Sequence, residues 1–165
     1  AGPHSFAIPA GGGDTNYFLP ITWLTGDFAT GDRTIKALPT TTEAGPLWGL
    51  GLADFAGIVT YTARVEIPTH AGAVGLRLNT GGLYTAVSLA GQALGERAWA
   101  PFGWPVPPAI KGKPAELKIT VWTSVAPMFG DWRDPEAAWN KKFWVPPPEH
   151  HPEVGLLAPP EWLLF

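Results

Sequence analysis

Apolar and polar residues alternate along several short runs of this chain. The two clearest runs are Gly57–Ile67 and Ala115–Ser124, in which every second residue is apolar. A period of two is typical of a β-strand that buries one face, so we predict a strand in each run. With a third run, Val74–Leu78, they supply the side chains that we expect to point into the core: Val59, Tyr61, Val65, Leu76, Leu78, Leu117, Ile119 and Val121.

Shorter apolar runs predict further strands. They are Phe18–Leu24, Tyr84–Leu89, Ala93–Trp99, Gly155–Phe165 and a brief one at Asp27–Thr30. Gly91-Gln92 lies between two of these runs and predicts a hairpin turn. The 20 Gly and 19 Pro interrupt the chain too often for long helices. About seven or eight strands with frequent turns predict an all-β antiparallel β-sandwich or jelly roll.

Two long segments do not have the pattern of a strand. Gly26–Gly51 is predicted to be a connection, apart from the brief strand noted above. Ala126–Glu153 is a second connection, rich in Trp and Pro, with a short helical turn predicted at Asp134–Lys142. Loops of this length usually carry function or cover another surface.

Composition narrows the class of protein. The 165 residues suit one domain, which we predict to span 1–165. Charged residues are only 15%, the net charge is −3, and no Lys/Arg cluster is present, which argues against a nucleic-acid partner. No apolar run reaches the ~18 residues of a membrane span, so no membrane partner is predicted. The absence of cysteine excludes disulfides but leaves the compartment open.

The opening residues, Ala1-Gly2-Pro3-His4, contain neither a methionine nor an apolar signal core. We therefore expect the chain to be a processed or excised piece of a longer protein.

The order of several motifs resembles a known family. In sequence they are Leu24–Phe28, Leu47–Gly49, Gly51–Tyr61, Leu89–Gly95, Trp99–Phe102, Leu117–Thr123 and Gly155–Pro160. Together they resemble the galactose-binding-like jelly-roll domains attached to bacterial glycoside hydrolases. They are similar to the sugar-binding domain of family 2 hydrolases and to accessory domains of rhamnosidase-like enzymes. One departure is Ala90, which stands before Gly91 where the family's hairpin has Asn.

Aromatic side chains are the candidates for glycan contact, because an indole ring can stack on the apolar face of a sugar. Polar groups beside such rings could bind the sugar hydroxyls. The candidate carbohydrate-binding residues are Trp99, Trp104, Trp132, Arg133, Trp139, Asn140 and Trp144. For each tryptophan the alternative is packing in the interior, where this residue type is common.

Catalysis and metal binding receive less support from the sequence. Most glycosidases need two carboxylates at a set separation, and no pair is singled out among Asp131, Asp134 and Glu136. We therefore predict no catalytic residues and no cofactor. The resemblance allows a structural calcium, for which Asp14 and Asn16 are the candidate ligands.

These observations predict a non-catalytic, carbohydrate-binding accessory domain of a glycoside hydrolase. Its partners would be a glycan ligand and the catalytic domain of the parent enzyme. The alternative is a scaffold domain that packs on the catalytic domain without binding glycan itself.

Overall fold

The structure, a computed structural model, describes residues 26–31, 34–53, 55–124 and 153–165. Within these ranges the chain forms short strands, paired only antiparallel, and two 3₁₀ turns at Leu47–Leu50 and Pro108–Ile110. The strands are β1 (Phe28–Gly31), β2 (Thr34–Ala37), β3 (Gly45–Pro46), β4 (Ile58–Glu66), β5 (Val74–Arg77), β6 (Tyr84–Leu89), β7 (Gln92–Arg97), β8 (Gly103–Pro105), β9 (Pro114–Trp122), β10 (Gly155–Leu156) and β11 (Glu161–Leu164). The predicted all-β class is confirmed.

A four-stranded sheet in the order β4-β9-β6-β7 forms one side of the sandwich. Its central strand β9 places Ile119 opposite Tyr61 of β4 and Val87 of β6. Side chains of β9 alternate between the interior and the outer face, as the sequence pattern predicted. The same alternation leaves Thr60 of β4 exposed on the outer face, where its hydroxyl lies 3.3 Å from that of Thr120.

A three-stranded sheet in the order β11-β5-β8 forms the other side. Here Leu76 of β5 lies opposite both Trp104 of β8 and Trp162 of β11. Both sheets contribute to one hydrophobic cluster, so the strands form a β-sandwich.

The predicted core residues all belong to this cluster. Those that are buried are Leu76, Leu78, Leu117, Ile119 and Val121. Val59, Tyr61 and Val65 are partly buried against the cluster, because their strand β4 lies at the edge of its sheet. The backbone N–H of Leu156 donates to the Tyr61 hydroxyl at 3.3 Å, so this half-buried phenol has a polar partner.

The segment 26–51 contains more regular structure than predicted. β1 and β2 form a hairpin, and β3 pairs with the distant strand β10. The N–H of Thr30 donates to the carbonyl of Gly51 at 2.7 Å, which ties β1 to the end of the segment. β3 depends on a long-range pairing and leaves no local periodicity, and the four side chains of β2 are all exposed, so neither strand has the pattern of one buried face.

The β6–β7 hairpin turns at Ala90-Gly91. Both residues have positive φ, 52° and 75°. This conformation matches a two-residue turn that favours Asn-Gly, and here alanine occupies the first position. Farther along, Val87 lies opposite Gly95 while Ser88 lies opposite Ala93, so β7 contains a bulge.

Some predicted elements lie outside the described residues. They are the strand Phe18–Leu24 and the helical turn at Asp134–Lys142. Within the described ranges, no helix has the length and apolarity needed to cross a bilayer.

Candidate functional site

The bulge in β7 determines which side chains reach the outer face near the end of the hairpin. Beyond it, Glu96 lies opposite Ala86 and Arg97 lies opposite Thr85, which is fully buried. If the pairing continued from Ser88 and Ala93 without the bulge, Glu96 would lie opposite Thr85 and its carboxylate would face the interior. The bulge therefore keeps this carboxylate on the solvent side.

An open cleft of about 500 Å³ lies at this end of the hairpin. Its volume falls in the range of ~300–1,000 Å³ typical of small-molecule sites. The lining residues are Tyr84, Glu96, Arg97, Ala98, Trp99, Ala100 and Pro101, and the Ala100–Pro101 peptide is cis. Trp99 is 78% exposed, so its ring is accessible to a ligand.

Tyr84 and Glu96 form a polar pair in the cleft. The Tyr84 hydroxyl donates a hydrogen bond to Oε2 of Glu96. This hydrogen bond raises the pKa of the Tyr84 hydroxyl above its ordinary value of 10.0, and desolvation and the charge of Glu96 act in the same direction. The Tyr84 ring also meets the edge of Trp122 at a centroid distance of 5.0 Å and an angle of 81°. Tyr84 is thus held through both its ring and its hydroxyl.

Arg97 connects the cleft to the core. Its guanidinium carbon lies 5.7 Å from the centroid of the Trp104 ring, within cation–π range, and its Nη1 donates to the backbone oxygen of Glu96 at 2.9 Å. The Trp104 indole in turn donates to the carbonyl of Gly95 at 3.0 Å. These contacts tie the end of β7 to a buried ring of the facing sheet.

The structure describes two of the predicted binding residues, and it places them in different environments. Trp99 lies in the cleft, whereas Trp104 is only 1% exposed and packs in the core, so the packing alternative applies to it. Burial on both ring faces leaves Trp104 no surface on which a sugar could stack. The other candidates lie outside the described residues: Trp132, Arg133, Trp139, Asn140 and Trp144.

Sequence reasoning missed Tyr84, Glu96 and Arg97 as cleft residues. A hairpin signal was present at Gly91, and folding the chain about that turn brings the start of β6 beside the end of β7. The proximity of Tyr84 to the last residues of β7 could therefore have been inferred. The bulge decides the face on which Glu96 lies, and its sequence signal is Gly95, an isolated glycine inside the predicted strand with a φ of 112°.

The described residues include no group of three or more His, Cys, Asp or Glu side chains that could hold a metal ion. The calcium candidates Asp14 and Asn16 lie outside them, as do Asp131, Asp134 and Glu136.

Comparison with known proteins gives structural neighbours but no family assignment. No protein-family model matches the chain, and no curated protein matches it. Among solved structures, the rhamnosidase from Novosphingobium sp. PP1Y aligns with a TM-score of 0.51 and 20% identity, over 68% of this chain and 11% of that one. This likeness supports the all-β fold.

Two other solved structures align less closely. The β-glucuronidase of Faecalibacterium prausnitzii has a TM-score of 0.44 and 18% identity, over 82% of this chain and 29% of its own. The β-D-glucuronidase of Dictyoglomus thermophilum has a TM-score of 0.38 and 17% identity, over 60% and 19%. All three neighbours are glycoside hydrolases, and the chain spans less than a third of each.

Proposed function

We propose that this chain is a non-catalytic, carbohydrate-binding accessory domain of a glycoside hydrolase, of the galactose-binding-like jelly-roll type. The observation that carries the proposal is the exposed ring of Trp99 in a cleft that also presents Glu96 and Tyr84. The proposed ligand is a glycan, and the proposed protein partner is the catalytic domain of the parent enzyme.

The chemistry of the cleft suits a sugar. A pyranose has an apolar C–H face that can stack on an indole, and a rim of hydroxyls that donate and accept hydrogen bonds. Trp99 supplies the exposed ring, and the Glu96 carboxylate supplies strong acceptors beside it. The predicted residues of the 126–153 connection, such as Trp132 and Arg133, stay candidates for additional contacts.

The cleft favours binding over hydrolysis. Most glycosidases place two carboxyl groups ~5–9.5 Å apart across the scissile bond. Among the residues that the structure describes, Glu96 is the one carboxylate that lines the cleft. One acceptor carboxylate can orient a sugar but does not supply an acid and a base together.

Two lines of argument support a glycoside hydrolase as the parent enzyme. The first is the ordered set of motifs that resembles accessory domains of such enzymes. The second is that the structural neighbours are a rhamnosidase and two glucuronidases, each several times longer than this chain. In such a parent, catalysis would belong to another part of the protein.

The test is glycan binding by the isolated chain, followed by NMR or tryptophan fluorescence. One stacking ring and a few hydrogen bonds in an open cleft suggest a dissociation constant around 1 mM. We expect Trp99→Ala to abolish the response. Trp48→Ala is the matched control, because Trp48 is also an exposed indole, 43% accessible, but does not line the cleft.

If no member of a broad panel of mono- and oligosaccharides binds at millimolar concentration, the scaffold alternative is favoured instead. One feature specifically suits that role. Ile58 is 58% exposed and lies opposite Trp122, which in turn lies opposite Tyr84, so an apolar row crosses the outer face of the four-stranded sheet. Such a row could pack on a neighbouring domain.

A further inference from the structure

The hydrogen-bonding capacity of the cleft is asymmetric, and this has consequences for the ligand. The Tyr84 hydroxyl already uses its proton on Glu96. A carboxylate accepts hydrogen bonds at about four lone-pair positions and donates none, so the Glu96 side chain retains acceptor sites after binding Tyr84. The outer side of the cleft thus offers acceptors to a ligand.

The two charges of the cleft lie on different sides of β7. Arg97 shares the inward-facing row with Thr85, and its guanidinium stacks over the core residue Trp104. Glu96 belongs to the outward-facing row and is exposed. A ligand that enters from solvent beside Trp99 therefore meets the negative charge first, with the positive charge behind it.

From this geometry we infer that the cleft selects uncharged sugars with adjacent hydroxyls and disfavours uronic acids, with Glu96 as the residue that determines this specificity. The inference rests on the proposed glycan-binding function. Neighbouring hydroxyls can donate to the two oxygens of Glu96 while the sugar face stacks on Trp99. A uronate has one hydroxymethyl donor fewer and brings a second carboxylate toward Glu96, which repels it.

Tyr84 is a positioning residue in this arrangement. Its ring is fixed against Trp122, and its hydroxyl holds one oxygen of Glu96. We expect Tyr84→Phe to weaken binding of neutral sugars severalfold, because Glu96 becomes more mobile. The discrimination against uronates should persist in this variant, since the charge of Glu96 remains.

The experiment compares matched pairs of methyl glycosides that differ only at the terminal carbon: glucose with glucuronate, galactose with galacturonate, and mannose with mannuronate. Binding is followed through the indole N–H signal of Trp99. For a pair whose neutral member binds, we expect the uronate to bind about five- to tenfold more weakly at low ionic strength. Added salt should reduce that ratio by screening.

The decisive variant is Glu96→Gln. This variant should weaken the binding of neutral sugars about tenfold, because neutral hydrogen bonds replace charge-assisted ones. It should also remove the discrimination against uronates. Glu116→Gln is the matched control, because Glu116 is an exposed carboxylate on the same sheet face, opposite Arg64, that does not line the cleft. It should leave both affinities unchanged.

The outcomes separate this inference from the proposed function. If uronates bind as tightly as their neutral partners, or if Glu96→Gln leaves the discrimination intact, the inference is wrong while glycan binding stands. If no sugar of either kind shifts the Trp99 signal, the proposed function itself fails and the inference fails with it. Retention of the native NMR dispersion by Glu96→Gln would confirm that the variant is folded.

Discussion

Trp99 and Trp104 are close in sequence and opposite in environment. Trp104 lies in β8, opposite Leu76, with 1% of its surface exposed and its indole N–H bonded to Gly95 of the facing sheet. Trp99 follows β7 and is 78% exposed at the cleft. One ring holds the two sheets together, and the other is presented to solvent.

The difference shows that residue type does not decide between a packing role and a binding role. Both tryptophans lie close to proline, Trp99 two residues before Pro101 and Trp104 directly before Pro105. What separates them is strand pairing, which places position 104 inside the sandwich and ends β7 before position 99. Only one of the two can therefore stack on a ligand.

The largest effect that tests this comparison is on stability. Trp104→Ala should lower the free energy of unfolding by about 3–5 kcal/mol, because it leaves a cavity in the core. Trp99→Ala should change it by no more than about 0.5 kcal/mol, as is usual for an exposed residue. Urea denaturation of the two variants measures both. Equal losses of unfolding free energy in the two variants would mean that Trp99 is packed in the interior. The contrast between the two tryptophans would then be wrong.

A smaller effect is expected at the hairpin turn, at the far end of β6 and β7 from the cleft. Ala90 holds a φ of 52°, which costs an L-residue without a local side-chain hydrogen bond. Ala90→Asn should therefore raise stability by about 0.5–1 kcal/mol, since Asn tolerates this conformation. Gly91→Ala, at a φ of 75°, should have the opposite sign.

The turn variants also test whether the hairpin turn and the cleft are independent of each other. The turn is about 17 Å from Tyr84 along the strand, so sugar binding should not change in Ala90→Asn. A change in affinity that matches the change in stability would indicate that the cleft and the hairpin turn are coupled.

The smallest expected effect is the shift in the pKa of the Tyr84 hydroxyl. The hydrogen bond to Glu96 raises the pKa of Tyr84 above 10.0, so the folded state favours the protonated hydroxyl. Its contribution to stability is then fully present below pH 10 and is lost as the pH rises through the raised pKa. NMR of isotope-labelled tyrosine should detect the shift, and Glu96→Gln should reduce it.

Tyr61 provides the internal reference for that titration. Its pKa is also raised, but mainly by burial, and the hydrogen bond from Leu156 partly opposes the shift. Glu96→Gln should leave Tyr61 unchanged. If Tyr84 titrates at or below its ordinary value in the unmodified protein, its pairing with Glu96 is contradicted.

Much of the sandwich could be predicted because alternation is a local property. The runs that became β4 and β9 were identified from period-two patterning alone, and Ile119 and Val121 face the interior as that patterning requires. β3, by contrast, is two residues long and exists only through its pairing with β10. An element of that kind has no periodicity to detect.

The cleft could be predicted only in part. Trp99 was a candidate from its residue type, but Trp104 satisfied the same criterion and is buried. Tyr84 and Glu96 meet only after the chain folds about the Ala90-Gly91 turn and shifts by one residue at the bulge. Register in such a sheet follows the hydrophobic pattern and the turn geometry, but a bulge shifts it by one residue, and alternation by itself does not locate that shift.

The sequence by itself determined the all-β class, the inward-facing rows of the main sheet and the low share of charged residues. These follow from alternation and composition, which are properties of neighbouring residues. The tertiary structure alone decided which indole is exposed and that the Glu96 carboxylate faces solvent. Both depend on where β7 ends and where it gains a residue, and those positions are fixed by its contacts with the neighbouring strand and with the facing sheet.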